Sequence, residues 1–182
     1  MKMTLQIRPL AEGDAIAYHE LRLRALREHP TAFAQPYESQ EATSISEVTQ
    51  RLRDTSDAPH DFILGMFKSS ALIGMVGFRR DRGDRLGHKG MIWGMYITAE
   101  AQGQGLGRKL ILEAISRAER QPGLEQISLG VISGNASARR LYISLGFESY
   151  GLERRAIVID GKYHDDELMQ LFLNREEQAG RT

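Results

Sequence analysis

The chain predicts a mixed α/β fold in the order β-α-α-β-β-β-α-β-α-β-β, one sheet with helices on both faces. Three observations carry this reading. Asp61 to Phe67 and Leu72 to Arg79 are apolar runs separated by Lys68-Ser69-Ser70, a hairpin pattern. Two strand-helix-strand passages follow, which require crossovers and therefore a parallel component in the sheet. Between the strand-like run Gly90 to Thr98 and the helical run Arg108 to Arg120 lies a glycine-rich turn, Gln102-Gly103-Gln104-Gly105-Leu106-Gly107.

Taken in order, Leu5, Ile7 and Pro9 alternate with polar residues and predict a first strand. Asp14 is placed to cap a helix carrying Ile16, Leu21, Leu23 and Leu26, which His29-Pro30 ends. Residues 31–43, with Phe33 and Tyr37, read as a loop. Ser44 to Arg53 reads as a short helix with Ile45, Val48 and Leu52 on one face. After the hairpin and a charged loop at 80–87, His88 to Thr98 reads as a central strand. Leu106, Leu110, Ile111, Ala114, Ile115 and Ala118 give the next helix its buried side, and Pro122-Gly123 stops it. Gln126 to Ile132 is a strand. Asn135 caps a helix that Gly146 terminates. Phe147 to Ile159, kinked near Gly151, and Tyr163 to Phe172 form a closing hairpin across Asp160-Gly161. Residues 1–182 read as one domain with its core at about 4–173 and a frayed tail at 174–182.

The glycine turn is the most informative stretch. A glycine turn at a helix start leaves backbone N–H groups free, and the helix dipole adds partial positive charge there, so the pair forms a socket for a phosphate. Two common phosphate loops fail against these letters. The dinucleotide fingerprint would need glycine at position 108, which is Arg108, and the P-loop would need Lys then Ser or Thr, whereas Lys109 is followed by Leu110.

Composition narrows the class. Lys plus Arg number 24 and Asp plus Glu 24, so there is no net positive charge to recruit nucleic acid. The absence of cysteine excludes disulfides, thiolate metal sites and a cysteine nucleophile, and fits a reducing cytoplasm. The five histidines have no i, i+4 spacing, so no helical metal pair is expected. The first residues lack the apolar core of a signal peptide, and no apolar run approaches a membrane span.

With these residues in view, the chain resembles the GNAT family of N-acetyltransferases. That family's cofactor loop, Q/R-x-x-G-x-G/A, matches Gln102 to Gly107 at each fixed position. Its second signature, Asn followed by a helix carrying Tyr, matches Asn135 to Tyr142, and Leu145-Gly146-Phe147 follows. The likeness in element order covers roughly residues 4 to 173. The resemblance implies acetyl-CoA as donor, with its pyrophosphate on the amides of Gln102, Gly103, Gln104, Gly105, Gly107 and Arg108. It implies that the pantetheine arm pairs with the main chain of Met95, Tyr96 and Ile97, in a cleft where the sheet splits between this strand and Gln126 to Ile132. A β-bulge within 90–96 would open that cleft, and Gly90 and Gly94 suit one. The resemblance further implies that Asn135 adds a contact to the arm, that Tyr142 is the acid for the leaving thiolate, and that the closing hairpin, Arg155 to Leu173, is the family's habitual place for a homodimer contact.

Acetyl transfer needs a neutral amine, and deprotonating an alkylamine of pKa near 10 at neutral pH costs about 4 kcal/mol. A base or a water chain offsets this, and an N–H at Met95 or Tyr96 would serve the carbonyl oxygen. No family motif assigns the base; Glu38, His88, Tyr96, Glu153 and water are the candidates. Each residue also has a plainer explanation: Tyr142 as packing, Asn135 as an N-cap, the glycines as a turn, Arg108, Lys109, Arg139 and Arg140 as solvated charges, Trp93 as core. The expected activity is transfer to a small-molecule or peptide amine by direct attack in a ternary complex, without metal. The alternatives are a non-catalytic acyl-CoA sensing module and an enzyme using a longer acyl-CoA.

Overall fold

A computed structural model of the chain describes residues 4–57 and 60–173; the tail expected to fray at 174–182 lies outside them. The elements are β1 (Leu5–Pro9), α1 (Ala15–Glu28), α2 (Tyr37–Glu41), α3 (Ile45–Asp57), β2 (Phe62–Lys68), β3 (Ala71–Arg80), β4 (Lys89–Ile97), α4 (Leu106–Glu119), β5 (Gln126–Ile132), α5 (Ala136–Ser144), β6 (Glu148–Ile159) and β7 (Lys162–Phe172). Short 3-10 turns occupy Glu12–Asp14, Pro30–Ala32 and Ala99–Ala101. No helix among the described residues is long and apolar enough to cross a membrane.

The segment 31–43 is not the loop its letters suggest. It holds a 3-10 turn and the helix α2. Five residues do not hold a helix alone. Here Arg27 donates to the Tyr37 hydroxyl at 2.6 Å, and the hydroxyl donates to Glu41 at 2.8 Å. The buried face of α1 also differs from expectation. Ile16 is 61% exposed, while Tyr18, Leu21, Arg22, Ala25 and Leu26 are buried. Asp14 stands at the N-cap without capping through its side chain, because its carboxylate is held by both Arg8 nitrogens at 2.7 Å. Ser44 and Glu47 form a reciprocal cap for α3, with Glu47 N–H donating to Ser44 Oγ and Ser44 N–H donating to the Glu47 carboxylate.

The sheet order is β1-β2-β3-β4-β5-β7-β6, and β4–β5 is its parallel pair. Strand alternation separates two cores. Tyr18, Leu21, Ala25, Val48 and Leu52 from α1 and α3 pack with Ile63, Met75 and Tyr96 on one face. Leu106, Leu110, Ile111, Ala114 and Tyr142 from α4 and α5 pack with Leu64, Val76, Ile127, Leu129 and Val131 on the other. Each such fully buried aliphatic side chain contributes about 1.5–3 kcal/mol of transfer free energy, so both helix layers are held to the sheet. The closing hairpin turns at Asp160 and Gly161, both with positive φ (48° and 74°), which matches the right-handed twist of its strands.

Two features open the middle of this sheet. β4 and β5 pair only at Lys89–Gln126, Gly90–Ile127 and Met91–Ser128, and beyond them the strands separate. On the other side of β4, Trp93 pairs with Gly77 and Tyr96 with Met75, so Gly94 and Met95 stand opposite Val76 alone. That is a β-bulge, and Gly94 carries it with φ of 64°. Gly90, the other glycine suited to a bulge, pairs regularly with Arg80; a Cβ there would collide with the Phe78 ring, so its role is close packing.

Candidate active site

The glycine turn stands at the head of α4, beside the strand that the bulge has turned. Gly103 and Gly105 have φ of 73° and 72°. Nothing lies within 4 Å of where their Cβ atoms would sit, so backbone conformation rather than crowding demands glycine there. Gly107 is different. A Cβ there would lie 2.9 Å from Met95 Cε and 3.6 Å from Leu141 Cδ2, so it admits close approach of α4 to β4 and α5. Gly105 is the N-cap with no side-chain cap, and its carbonyl accepts from Lys109 N–H at 3.2 Å. The helix geometry therefore leaves the amides of Gly105, Leu106, Gly107 and Arg108 without intrahelical acceptors. Gln102 fastens the turn to the strand, its Nε2 donating to the Ile97 carbonyl at 2.9 Å, and Gln104 Nε2 donates to the Glu100 carbonyl at 3.1 Å.

Two of the four basic side chains considered for the phosphates, Arg108 and Arg139, are engaged elsewhere. Arg108 Nη1 donates to Ser144 Oγ at 2.8 Å and to its carbonyl at 3.3 Å, tying α4 to the end of α5. Arg139 forms a two-pronged pair with Glu167 at 2.7 and 3.1 Å. Lys109 and Arg140 are exposed.

α5 starts where Asn135 Oδ1 accepts from Ala138 N–H at 3.1 Å, so Asn135 is an N-cap. About two turns on, Tyr142 packs edge-to-face on Phe147 at 5.9 Å and is 7% exposed. Burial pushes its phenol up to about 12. Its hydroxyl makes no hydrogen bond within the described residues and keeps its proton at neutral pH.

The candidate bases separate sharply. His88 precedes β4, at the end where β4 and β5 are joined rather than apart. Glu38 is exposed on α2. Tyr96 donates its proton to Glu28 at 2.5 Å, and burial first, then this bond, holds its phenol above the ordinary tyrosine range. Glu28 also accepts from Arg24 at 2.7 Å, and Arg24 reaches Glu100 at 2.6 Å. Glu153 pairs across the outer hairpin with Asp166.

Asp166 is the residue the letters did not reveal. It sits on β7 opposite Ile132, and a Cβ on Gly130 would collide with its carboxylate. The Asp166 side chain thus occupies the space that a residue at 130 would fill, on the separated length of β5. Its Oδ1 is sealed from solvent without a hydrogen-bond partner. Burial first, then the like charge of Glu153, raises its pKa above the ordinary aspartate value. Alternation puts Gly130 on the side away from Leu129 and Val131, hence on the face that carries α1. The 3-10 turn Pro30–Ala32 reaches β5 there. Trp93 faces the same side, lying over Gly77 in the α1 core. The signal for Asp166 was the missing side chain at Gly130, which is readable only once β5 and β7 are paired. A hollow of about 400 Å³ lined by Glu47, Arg51, Asp54 and Arg82 contains none of these residues. Among the described residues no three His, Asp or Glu side chains gather as a metal site would require.

A mixed sheet opened at its parallel pair, with a glycine turn at the head of the crossover helix, is the acetyltransferase class of fold. The chain belongs to the Acetyltransferase (GNAT) family, whose model matches residues 22–147. It is 36% identical over 80 residues to the phosphinothricin N-acetyltransferase of Alcaligenes faecalis, covering 44% of this chain and 41% of that protein. The chain spans less than half the length of the curated relatives it matches. Among solved structures, a GNAT-family acetyltransferase from Streptococcus pneumoniae superposes with a TM-score of 0.86 at 24% identity, covering 93% of this chain and all (100%) of that one. The structure of yncA from Salmonella typhimurium with its cofactor acetyl-CoA has a TM-score of 0.81 at 25% identity, covering 94% and 95%.

Proposed function

We propose that the chain transfers the acetyl group of acetyl-CoA to a primary amine by direct attack within a ternary complex. The observation that carries this reading is the end of β4–β5 pairing at Met91 and Ser128, together with a glycine turn at the head of α4 whose Gly105, Leu106, Gly107 and Arg108 amides lack intrahelical acceptors. In this reading the amides from Gly103 to Arg108 hold the pyrophosphate, the expected Gln102 N–H being already donated to the Ala99 carbonyl at 3.3 Å, and the free edge of β4 at Met95 and Tyr96 holds the pantetheine arm. The Ile97 carbonyl is already taken by Gln102, so Ile97 contributes its flank rather than this acceptor. Asn135 has Nδ2 left for the arm after its cap.

The thioester then lies in the wedge between β4 and β5, with the two polar groups on opposite faces of the sheet. Asp166, on the α1 face, receives the proton of the incoming ammonium. Loss of water around the pair raises the carboxyl and lowers the amine, which narrows the gap between their affinities for the proton. The neutral nitrogen attacks the acetyl carbon, and a β4 N–H at the bulge stabilises the oxyanion. The C–S bond breaks as Tyr142, on the α5 face, gives its proton to sulfur. One of the two protons left on the nitrogen passes through solvent to restore Tyr142, the other stays as the amide N–H, and Asp166 returns its own proton to solvent. Alignment of the two substrates supplies most of the remaining acceleration. We place the reaction in the cytoplasm, in keeping with a chain that uses no cysteine.

The test is a screen of amines, peptides and proteins with acetyl-CoA, following free thiol; the chain contributes no thiol of its own. Thiol release that depends on the amine is expected. Coenzyme binding with silence across all acceptors would instead select the sensing module, and release with succinyl-CoA alone would select the longer donor.

A further inference from the structure

Arg22 lies on the inner side of α1 and is 7% exposed, with its guanidinium over the Phe33 ring at 4.6 Å. Its Nη1 is sealed from solvent and has no hydrogen-bond partner. Among the described residues no carboxylate pairs with it. The charged or titratable groups acting on it are Tyr18 on its own helix and Arg51 on α3, and Arg51 carries the same sign. Glu28, at the end of the same helix, is taken by Arg24 and Tyr96. A guanidinium does not shed its proton to escape burial, and buried charges in native proteins are ordinarily paired. This one waits for an anion.

Its direction says where the anion comes from. Arg22 Nη1 stands 3.9 Å from where a Cβ on Gly94 would sit, and among the described residues no other non-neighbouring heavy atom lies within 4 Å of that point. Gly94 is the bulge of β4, so the guanidinium borders unfilled space at the turn of the strand, on the face of Asp166 and Trp93. Phe33 and Trp93 both pack on this α1 core.

We propose that Arg22 is the anion anchor of the acceptor pocket, and that the acceptor is an amine bearing a carboxylate or similar oxyanion, the amino-acid class. The inference rests on the acetyl-transfer reading for its reaction but not for its binding test. A planar guanidinium held flat by an aromatic ring matches a carboxylate along one edge, and an acceptor lacking that group leaves the charge buried and unpaired.

The experiment uses matched ligands, the standard amino acids and their carboxamides. With coenzyme A bound, so that no acetyl moves, calorimetry on the wild-type chain is expected to show at least one amino acid binding about 100-fold more tightly than its carboxamide. With acetyl-CoA, kcat/KM should show the same preference. Arg22→Met should abolish the preference by weakening the acid alone, with the KM for acetyl-CoA unchanged and a melting temperature equal or higher, since an unpaired buried charge has gone. Equal binding of acid and carboxamide by the wild type overturns the inference, whatever the variant does. A variant that melts lower and loses both ligands alike marks Arg22 as a packing residue and also overturns it. Selective binding without transfer sinks the proposed activity and keeps the anchor; transfer without selectivity does the reverse.

Discussion

Gln102 donates its side-chain amide to the main-chain carbonyl of Ile97 at 2.9 Å, joining the first residue of the glycine turn to the last residue of β4. The turn proposed to hold the phosphates and the strand edge proposed to receive the arm are thereby held in one frame. Removing the amide as Gln102→Ala should cost about 1 kcal/mol of that order, seen as a roughly fivefold weaker acetyl-CoA affinity. Titration of the coenzyme against both proteins checks it, and an unchanged affinity would separate the turn from the strand.

Gly105 has φ of 72° and open space around it. Gly105→Ala should therefore act through conformation alone, at about 1–2 kcal/mol. The expected result is an acetyl-CoA KM raised about tenfold with kcat little changed. If kcat collapses and KM holds, the turn is not where the coenzyme is gripped.

Tyr142 is held protonated by burial, at about 12. Tyr142→Phe keeps the ring contact with Phe147 and should lower kcat about 100-fold with little change in coenzyme affinity. Stability offers a second check. A tyrosine raised above its unfolded value near 10 contributes stability in full below pH 10, and that contribution is lost between pH 10 and 12 as the native state holds the extra proton. Melting curves of the Phe variant should therefore fall less steeply than wild type across that window.

Asp166 has the opposite bearing on folding at neutral pH. Its raised pKa means that the native state binds more protons than the unfolded chain just above the ordinary aspartate value, so stability falls as pH rises through the native value. Asp166→Asn should melt higher than wild type at neutral pH, match it in acid, and transfer acetyl about 100-fold more slowly. Glu153 faces it from β6, Gly130 and Ile132 from β5 carry no charge, and Arg139 on α5 is occupied by Glu167. Since the Asp166 carboxylate fills the space above Gly130, Asp166→Ala combined with Gly130→Asp returns a carboxylate to the same place. Recovery of transfer in the pair, beyond Asp166→Ala alone, is expected; no recovery would remove Asp166 from the chemistry.

The local signals named most of the architecture. β5 was read with its observed ends and Asp160-Gly161 turned the hairpin, because each depends on neighbours in sequence; the bulge was expected from the family resemblance at Gly90 or Gly94, and Gly94 carries it. The misreadings share a different cause. α2 is held by Arg27 through the Tyr37 hydroxyl, Ile16 faces solvent although its spacing fits a helix stripe, and Asp14 answers Arg8 rather than its own helix. Those outcomes are settled by contacts between distant segments, which no window of letters contains. The site divides the same way. The glycine turn, Asn135 and Tyr142 lie in contiguous motifs, whereas Asp166 and Arg22 gain meaning only from the strand opposite and the helix above.

Three residue pairs join the β1–β4 half of the sheet to the β5–β7–β6 half within the ladder. Such a narrow isthmus lets the halves differ in local opening free energy. Amide exchange should register this as two protection classes with their boundary at Met91 and Ser128. A ligand laid along the gap adds the missing rungs, so its arrival should merge the classes and raise the unfolding temperature of the whole chain.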